Sequence, residues 1–292
     1  HAVCIFYLVL RALDTVEDDM TIALETKIPM LHDFHTYLYQ EDWRYMHSKE
    51  KDKQVLEDFP TYCHYVAGLV GIGLSRLFSA SELEDPIVGL DTKLSNSMGL
   101  FLQKTNIIRD YLEDQMEGRE FWPKEVWGKY GKKLSDLANP ERIVPAVHCM
   151  NELITNALHH VPDVLTYLSR LKNQSVFNFC AIPQVFKGVV KIRKGQAVTM
   201  MMDATNIEAV RAIMYQYVEE IYQKIPLTDP SSGRTQHIIV SIRNLSLSNS
   251  GSLASRNHFS PIYLSCVMLL AAISWQYLST VSQGSEEVHS RQ

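Results

Sequence analysis

The sequence lacks three patterns that would each have indicated a class of function. Its five cysteines show no CxxC spacing, so no zinc ribbon or disulfide framework is indicated, and we expect reduced thiols facing the cytosol. There is no long basic tract, and the net charge of −5 argues against a nucleic-acid surface. The chain also has no Gly-x-Gly-x-x-Gly fingerprint, which is the usual sequence sign of a dinucleotide site.

The alternation of apolar and polar residues that is typical of β-strands does not persist anywhere in the chain. Apolar residues instead recur at helical spacing, and 292 residues with 46% hydrophobic content can bury a sizeable core. We therefore predict an all-α fold. Composition divides the chain into a helical domain over 1–225, a flexible linker over 226–257, an apolar segment over 258–281 and a short polar tail over 282–292.

Three glycines stand close together in an apolar stretch that runs from Tyr62 to Ser79. Gly68, Gly71 and Gly73 each cost about 1 kcal/mol of helix stability relative to alanine. The sequence therefore predicts a helix that a neighbouring element or a bulky ligand approaches closely.

An acidic stretch follows the apolar run Ala2 to Leu10. On a helix, Asp14, Glu17 and Asp18 project on one face, where their like charges repel one another. A cation between them removes that cost, and clustered oxygens suit Mg²⁺, which typically bridges carboxylates to substrate phosphates. A solvated acidic face is the alternative interpretation of this cluster taken alone.

A second acidic pair makes the metal hypothesis stronger. Asp110 and Asp114 are again one helical turn apart, and they again follow apolar residues, Met98 to Leu102. Two carboxylate clusters on a helical scaffold can hold Mg²⁺ ions around a diphosphate, while Arg11 and Arg109 neutralise its outer oxygens.

These motifs resemble the two aspartate-rich motifs of the head-to-head prenyl synthases. The flanks, Tyr62-Cys-His-Tyr-Val-Ala-Gly-Leu-Val-Gly and Phe177-Asn-Phe-Cys-Ala-Ile-Pro-Gln, resemble those of the squalene synthases in particular. The resemblance covers nearly the whole chain. It implies an isoprenoid-synthase-like helical bundle that condenses two farnesyl diphosphates head to head, through presqualene diphosphate, and reduces the product to squalene with Mg²⁺ and NADPH in sterol biosynthesis.

The resemblance also implies roles for individual residues. Tyr62 matches the base that accepts a proton next to the carbocation, with Tyr65 and His64 as alternatives. Phe179, Cys180 and Pro183 match positions that act in the second half-reaction. Substrate contacts would come from Arg11, Arg109, Phe6, Tyr7, Gln103 and Asn106, contacts to the phosphates of NADPH from Lys51, Lys53, Lys191 and Arg193, and metal contacts from Asp14, Glu17, Asp18, Asp110 and Asp114. Phe177, Leu69 and Val70 are further candidates for the apolar pocket.

The chain departs from the family at two internal points. The resemblance implies a helical insert before Tyr62 and a shorter segment between Val185 and Phe186, and this sequence has neither. Two alternative functions therefore stay open: a phytoene-synthase-like condensation that needs no reductant, and a catalytically inactive, membrane-tethered form.

The apolar segment near the C-terminus has the composition of a membrane anchor. No Asp, Glu, Lys or Arg occurs from Asn257 to Ser285, and the 17 residues Ile262 to Leu278 would rise about 25 Å as a helix. Trp275 and Tyr277 lie near one end, where interfacial aromatics are common. A core helix is the alternative. We predict a monomer anchored in the endoplasmic reticulum membrane, with its catalytic domain facing the cytosol.

Truncation tests the anchor. A chain that ends before Asn257 should move from a detergent-requiring membrane fraction to the soluble fraction, because the charge-free segment is gone. Fractionation of expressing cells with and without detergent measures this. If the truncated and full chains partition alike, Ile262 to Leu278 is a core helix and not an anchor.

Overall fold

The computed structural model describes residues 1–17, 19, 21–43, 59–116, 118–186 and 204–247. These fall almost entirely in the first of the two units into which the chain divides, His1–Ser246. The α-helices are α1 (Ala2–Glu17), α2 (Leu24–His32), α3 (Phe34–Tyr37), α4 (Phe59–Cys63), α5 (Leu69–Ala80), α6 (Pro86–Leu90), α7 (Thr92–Arg109), α8 (Tyr111–Met116), α9 (Lys124–Trp127), α10 (Ile143–Leu158), α11 (Val161–Arg170), α12 (Gln174–Phe186), α13 (Ile207–Lys224) and α14 (Ser232–Leu247).

Shorter helical turns complete the described fold. A π-helical turn, His64–Gly68, joins α4 to α5, and two 3₁₀ turns, Leu134–Ala138 and Pro140–Arg142, precede α10. No β-strand occurs in the described ranges, so the predicted all-α class is confirmed for them.

Helix α1 ends at Glu17, whose backbone carbonyl accepts a hydrogen bond from a lysine. The buried Lys27 donates from Nζ to the carbonyl oxygen of Glu17 at 2.8 Å, which satisfies one of the last free carbonyls and complements the helix dipole. Asp19 then accepts hydrogen bonds from the backbone N–H and the hydroxyl of Thr21, which forms a turn. The first acidic motif therefore lies at a helix end and the turn after it.

Helix α7 is in backbone contact with the segment that holds the glycines. A Cβ atom added to Gly71 would lie 2.3 Å from the carbonyl oxygen of Ser95, and one added to Gly99 would lie 2.1 Å from the carbonyl oxygen of Ala67. The predicted close approach is therefore confirmed, and the neighbour is α7. Gly73 makes a related contact, since its Cβ would meet the ring of Phe6 on α1 at 2.8 Å.

Two hydrophobic clusters lie beside α7. The first joins its buried face to helices α11 to α14 and is formed by Val88, Leu94, Met98, Phe101, Leu158, Val161, Val164, Leu165, Tyr167, Leu168, Phe177, Ala181, Ala204, Val210, Met214, Val218, Ile238, Ile239 and Ile242. The second joins α4 to α9 and α10 and is formed by Phe59, Cys63, Leu100, Ile107, Trp122, Val126, Trp127, Leu134, Leu137, Cys149 and Leu153.

The predicted linker is wrong over part of its length. Residues 226–257 were expected to have limited order, but Ser232–Leu247 is a helix whose Ile239 and Ile242 are buried in the first cluster. Two polar contacts fix this region to α10: Asn151 donates to the carboxylate of Asp229 at 2.8 Å, and the hydroxyls of Thr155 and Thr235 lie 2.7 Å apart.

The predicted anchor, Ile262 to Leu278, lies outside the described residues. Within the part of the chain that the structure describes, no helix combines the length and the hydropathy that a membrane crossing requires.

Because of the contact at Gly99, one added methyl group there should destabilise the fold strongly. Gly99→Ala should lower the free energy of unfolding by about 3 kcal/mol, the upper end of the usual cost of overpacking, because a backbone carbonyl blocks the new Cβ. For a chain of this size we expect Tm to fall by roughly 6–12 °C. Gly233→Ala is the matched control, since a Cβ there meets nothing within 4 Å. Equal melting curves for the two variants would contradict the contact.

Candidate active site

The central cavity is a space of about 300 Å³ between the π-helical turn, α5, α7, α11 and α12. It is lined by Val66, Ala67, Val70, Gly71, Leu74, Ser75, Phe78, Met98, Gly99, Leu102, Gln103, Asn106, Tyr167, Phe179, Cys180, Pro183 and Gln184. None of these residues is an Asp, Glu, Lys or Arg. The cavity is therefore an apolar, uncharged space with three aromatic rings, those of Phe78, Tyr167 and Phe179, in its wall.

Helical spacing explains how two elements supply most of the wall. Val66, Val70, Leu74 and Phe78 recur every four residues, and Met98, Leu102 and Asn106 do the same on α7. Of these, only Val70 and Asn106 were among the sequence candidates. The four-residue spacing was the signal that could have identified the others.

Three residues expected at the second half-reaction lie together on this wall. Phe179, Cys180 and Pro183 of α12 line the cavity, and the Phe179 ring packs edge-on against Phe78 with centroids 6.2 Å apart. Burial raises the pKa of the Cys180 thiol to about 12, so at neutral pH it is a neutral thiol and not a nucleophile.

Two polar groups of the wall, Ser75 and Tyr167, are paired with each other. The hydroxyls of Ser75 and Tyr167 lie 2.7 Å apart in a buried hydrogen bond, and Ser75 also donates to the Gly71 carbonyl. Burial raises the pKa of Tyr167, which keeps its hydroxyl protonated. The wall therefore offers few nucleophiles to a reactive cation.

Tyr62 lies just before the π-helical turn and not among the residues that line the central cavity. Its ring packs against Phe121, with centroids 6.2 Å apart, at the edge of the second hydrophobic cluster. Of the two alternatives, Tyr65 is exposed and His64 contacts Asn96 through Nδ1 at 2.7 Å. A base at Tyr62 stays a prediction.

In the first acidic motif, one aspartate forms an ion pair with an arginine of the same helix. Arg11 and Asp14 form an exposed ion pair on α1 with Nη1 and Oδ2 2.5 Å apart, and Glu17 is also exposed. Asp18 lies outside the described residues. Helix α1 packs on α5 through Phe6 and Gly73, so the motif is carried by a helix that contacts the cavity wall.

The second motif contains two carboxylates in opposite environments. Asp110, just after α7, is paired with Arg109 through two hydrogen bonds of 2.5 and 2.7 Å, and this contact raises the pKa of the guanidinium. Asp114 is only 5% exposed and accepts a hydrogen bond from Arg119 at 2.9 Å. Asp110 is thus accessible to a ligand, whereas Asp114 is enclosed.

The chemistry of these donors fits Mg²⁺, since Asp14 and Glu17 offer exposed carboxylate oxygens and Asp110 offers partly exposed ones. In the described ranges, however, no three acidic, histidine or cysteine side chains are close enough together to form a metal cluster. The assignment of Asp14, Glu17, Asp18, Asp110 and Asp114 as metal ligands stays a prediction.

The expected substrate and cofactor contacts are only partly brought together. Gln103 and Asn106 line the central cavity, and Asn106 lies one turn before Asp110, so the second motif begins at the cavity. Tyr7 is 64% exposed, and Leu69 and Phe177 do not line the cavity. The four basic residues expected for NADPH lie outside the described residues: Lys51, Lys53, Lys191 and Arg193.

Gln184 is a site residue that the sequence analysis did not single out. It is 2% exposed, donates from Nε2 to the Met98 carbonyl at 3.3 Å, and leaves Oε1 without a hydrogen-bond partner in the described structure. It also borders a second apolar space of about 230 Å³, the rear cavity, whose wall includes Phe101 and Arg109. Buried polar atoms are normally paired, but Oδ1 of Asn106 in the same cavity wall also has no partner in the described structure, so both side chains leave an acceptor there.

Comparisons with known proteins agree with this geometry. The sequence profile of the squalene/phytoene synthases matches residues 51–188. The bovine squalene synthase is 62% identical over 98% of this chain and 82% of its own length, and the human enzyme is 63% identical over the same shares. A solved complex of TcSQS with a ligand superposes with a TM-score of 0.77 at 34% identity, over 85% of this chain and 90% of that one.

The fold and the paired motifs are those of an isoprenoid synthase-like helical enzyme. The chain belongs to the squalene/phytoene synthase family, and within it to the squalene synthases. The alignment with the bovine enzyme runs over 345 positions, more than the 292 residues of this chain, so the chain lacks internal segments that this relative has.

Substitutions at Gln184 test whether its unpaired oxygen costs stability. Gln184→Leu removes an unsatisfied acceptor that costs about 1–3 kcal/mol and a long hydrogen bond that contributes about 0.5–1.5 kcal/mol, so Tm should stay equal or rise. Gln184→Glu has the same shape but buries a charge, so it should unfold at a lower temperature. Thermal melts at neutral pH compare them. A larger loss in the leucine variant would contradict the assignment.

Proposed function

We propose that this chain acts as a squalene synthase that joins two farnesyl diphosphates head to head, through presqualene diphosphate, and reduces the product to squalene with NADPH. This is the reaction of sterol biosynthesis that its family membership implies. The two internal gaps leave the motif residues in place, so the proposal concerns this chain and not only its longer relatives.

The central cavity is the observation that supports the proposal most. A prenyl carbocation needs an apolar space that excludes water, with π faces and few nucleophiles. The cavity has no charged side chain, its cysteine is a neutral thiol, and three aromatic rings border it. It also joins the helix after Tyr62, the helix before Asp110 and the Phe179 segment, which are three of the four segments that carried the resemblance.

The two arginine–aspartate pairs suit the diphosphate end of the substrate. Exposed ion pairs are worth only about 0–1 kcal/mol, so Arg11 and Arg109 can exchange their carboxylates for diphosphate oxygens at little cost. The same exchange frees Asp14 and Asp110, which with Glu17 and Asp18 would hold Mg²⁺. Bound there, Mg²⁺ would stabilise the negative charge of the departing diphosphate.

Further residues would serve the proton transfer and the reduction. Tyr62 would accept the proton lost on forming presqualene diphosphate, and Phe179, Cys180 and Pro183 would border the intermediate during reduction. Lys51, Lys53, Lys191 and Arg193 would contact the phosphates of NADPH. Residues 258–281 would anchor the catalytic domain to the cytosolic face of the endoplasmic reticulum membrane.

An assay with labelled farnesyl diphosphate and Mg²⁺, with and without NADPH, tests the proposed function. We expect squalene with the reductant and presqualene diphosphate without it. Product that forms equally well without NADPH, with no presqualene diphosphate, would indicate a phytoene-synthase-like condensation. No product under either condition would indicate an inactive form.

The same assay tests the acidic motifs. Asp14→Asn and Asp110→Asn should each reduce presqualene diphosphate formation at least about a hundredfold, because each removes negative charge from the site that would hold Mg²⁺ on the ionising diphosphate. Asp33→Asn is the matched control: it removes an exposed carboxylate that, among the described residues, contacts only its neighbour His32, and it should leave the rate unchanged. Normal turnover in either motif variant would refute the assignment.

A further inference from the structure

A third cavity lies on another face of α7 and has the opposite chemistry. This basic cavity, about 330 Å³, is lined by Lys104, Thr155, Asn156, His159, His160, Arg234, His237 and Ile238. It holds two cationic side chains and three histidines, and no carboxylate of the described residues lines it. Its volume is about ten times the ~30 Å³ that one water molecule takes up in the liquid.

The floor of the basic cavity is a buried lysine without an anionic partner. Lys104 is 5% exposed, and its Nζ contacts Oδ1 of Asn156 at 2.5 Å and Nε2 of His160 at 2.9 Å. The Phe59 ring centroid lies 5.5 Å from the same ammonium. Among the described residues, no carboxylate lies within ion-pair distance of Lys104, although buried charges are normally paired.

Burial lowers the pKa of the Lys104 ammonium, and the charge of the exposed Glu125 opposes that shift from beyond ion-pair distance. Among the described residues, no group in contact with Lys104 supplies a negative charge. Burial raises the pKa of the neighbouring Cys63 thiol to about 12, so Cys63 is neutral. Burial and the adjacent Lys104 lower the pKa of His160 to about 3. Because His160 accepts from the ammonium at Nε2, its own proton is on Nδ1, and the ring is a further donor.

The rim adds positive charge that is accessible from solvent. His159, Arg234 and His237 are exposed. The nearest carboxylate to Arg234 is Glu152, at 3.8 Å, and that carboxylate already accepts from Lys129 at 2.5 Å and from Tyr130 at 2.9 Å. The pair is long and the arginine side of it is exposed, so Glu152 holds Arg234 only weakly.

We propose that the basic cavity binds a phosphoryl group, with Lys104 as its buried contact and Arg234 and His237 as rim contacts. A phosphoryl group carries several acceptor oxygens and close to two negative charges, which matches a lysine, an arginine and N–H donors of histidine. Inorganic diphosphate is one source of this chemistry, and a small phosphate ester is another. The proposal does not rest on the proposed squalene synthase activity.

Titration calorimetry of the purified full chain, in a buffer free of phosphate and Mg²⁺, tests the proposal. Inorganic diphosphate and glycerol 3-phosphate are titrated separately, and the compound that binds more tightly identifies the source of the phosphoryl group. Lys104→Met should weaken binding at least about tenfold, because it removes the buried cation while keeping its length. Lys93→Met, an exposed lysine on the same helix, should leave the affinity unchanged.

The rim provides a second variant that does not disturb the core. Arg234→Gln combined with His237→Gln changes only exposed side chains and should weaken binding about fivefold even if Lys104→Met fails to fold. Three results would overturn the proposal: no saturable binding of either phosphate compound, equal affinity in the Lys104 and Lys93 variants, or a rim variant that binds like the parent chain.

Discussion

The backbone contact between α7 and the segment from Ala67 to Gly71 is the constraint on which the rest of the structure depends. Gly71 faces the Ser95 carbonyl and Gly99 faces the Ala67 carbonyl, so at these two points backbone meets backbone. Because a carbonyl cannot rotate away as a side chain can, the separation of the helices is fixed. Side chains on either side of this contact then border spaces of defined size.

The faces of α7 separate two kinds of chemistry. Gln103 and Asn106 point to the central cavity, Lys104 lines the basic cavity, and Arg109 lines the rear cavity. Successive residues on a helix are about 100° apart, so one helix can present neutral amides and a cation to different spaces. This separation matters because an ammonium in the central cavity would repel the carbocation that the proposed reaction forms there.

Local patterns in the sequence predicted the all-α class and the glycine contact, whereas Gln103, Asn106 and Phe179 were expected at the site only because of the family resemblance. Helix α14 was missed because its Ser and Asn content is typical of a linker, and only its packing against α10 and the core favours the helix. The basic cavity could not be predicted either. Its residues come from three segments far apart in the chain, and only the fold brings them together.

Burial decides what the two aspartates of the second motif can do. The Asp110 pair with Arg109 is partly exposed, so water and a ligand can compete for it at little cost. The Asp114 pair with Arg119 is largely buried, and separating such a pair costs about 3–5 kcal/mol because a charge is left without a partner. A cation that used both aspartates would have to supply that free energy at Asp114, whereas at Asp110 it would replace only a weak contact. Binding at Asp110 would therefore cost less free energy than binding at Asp114.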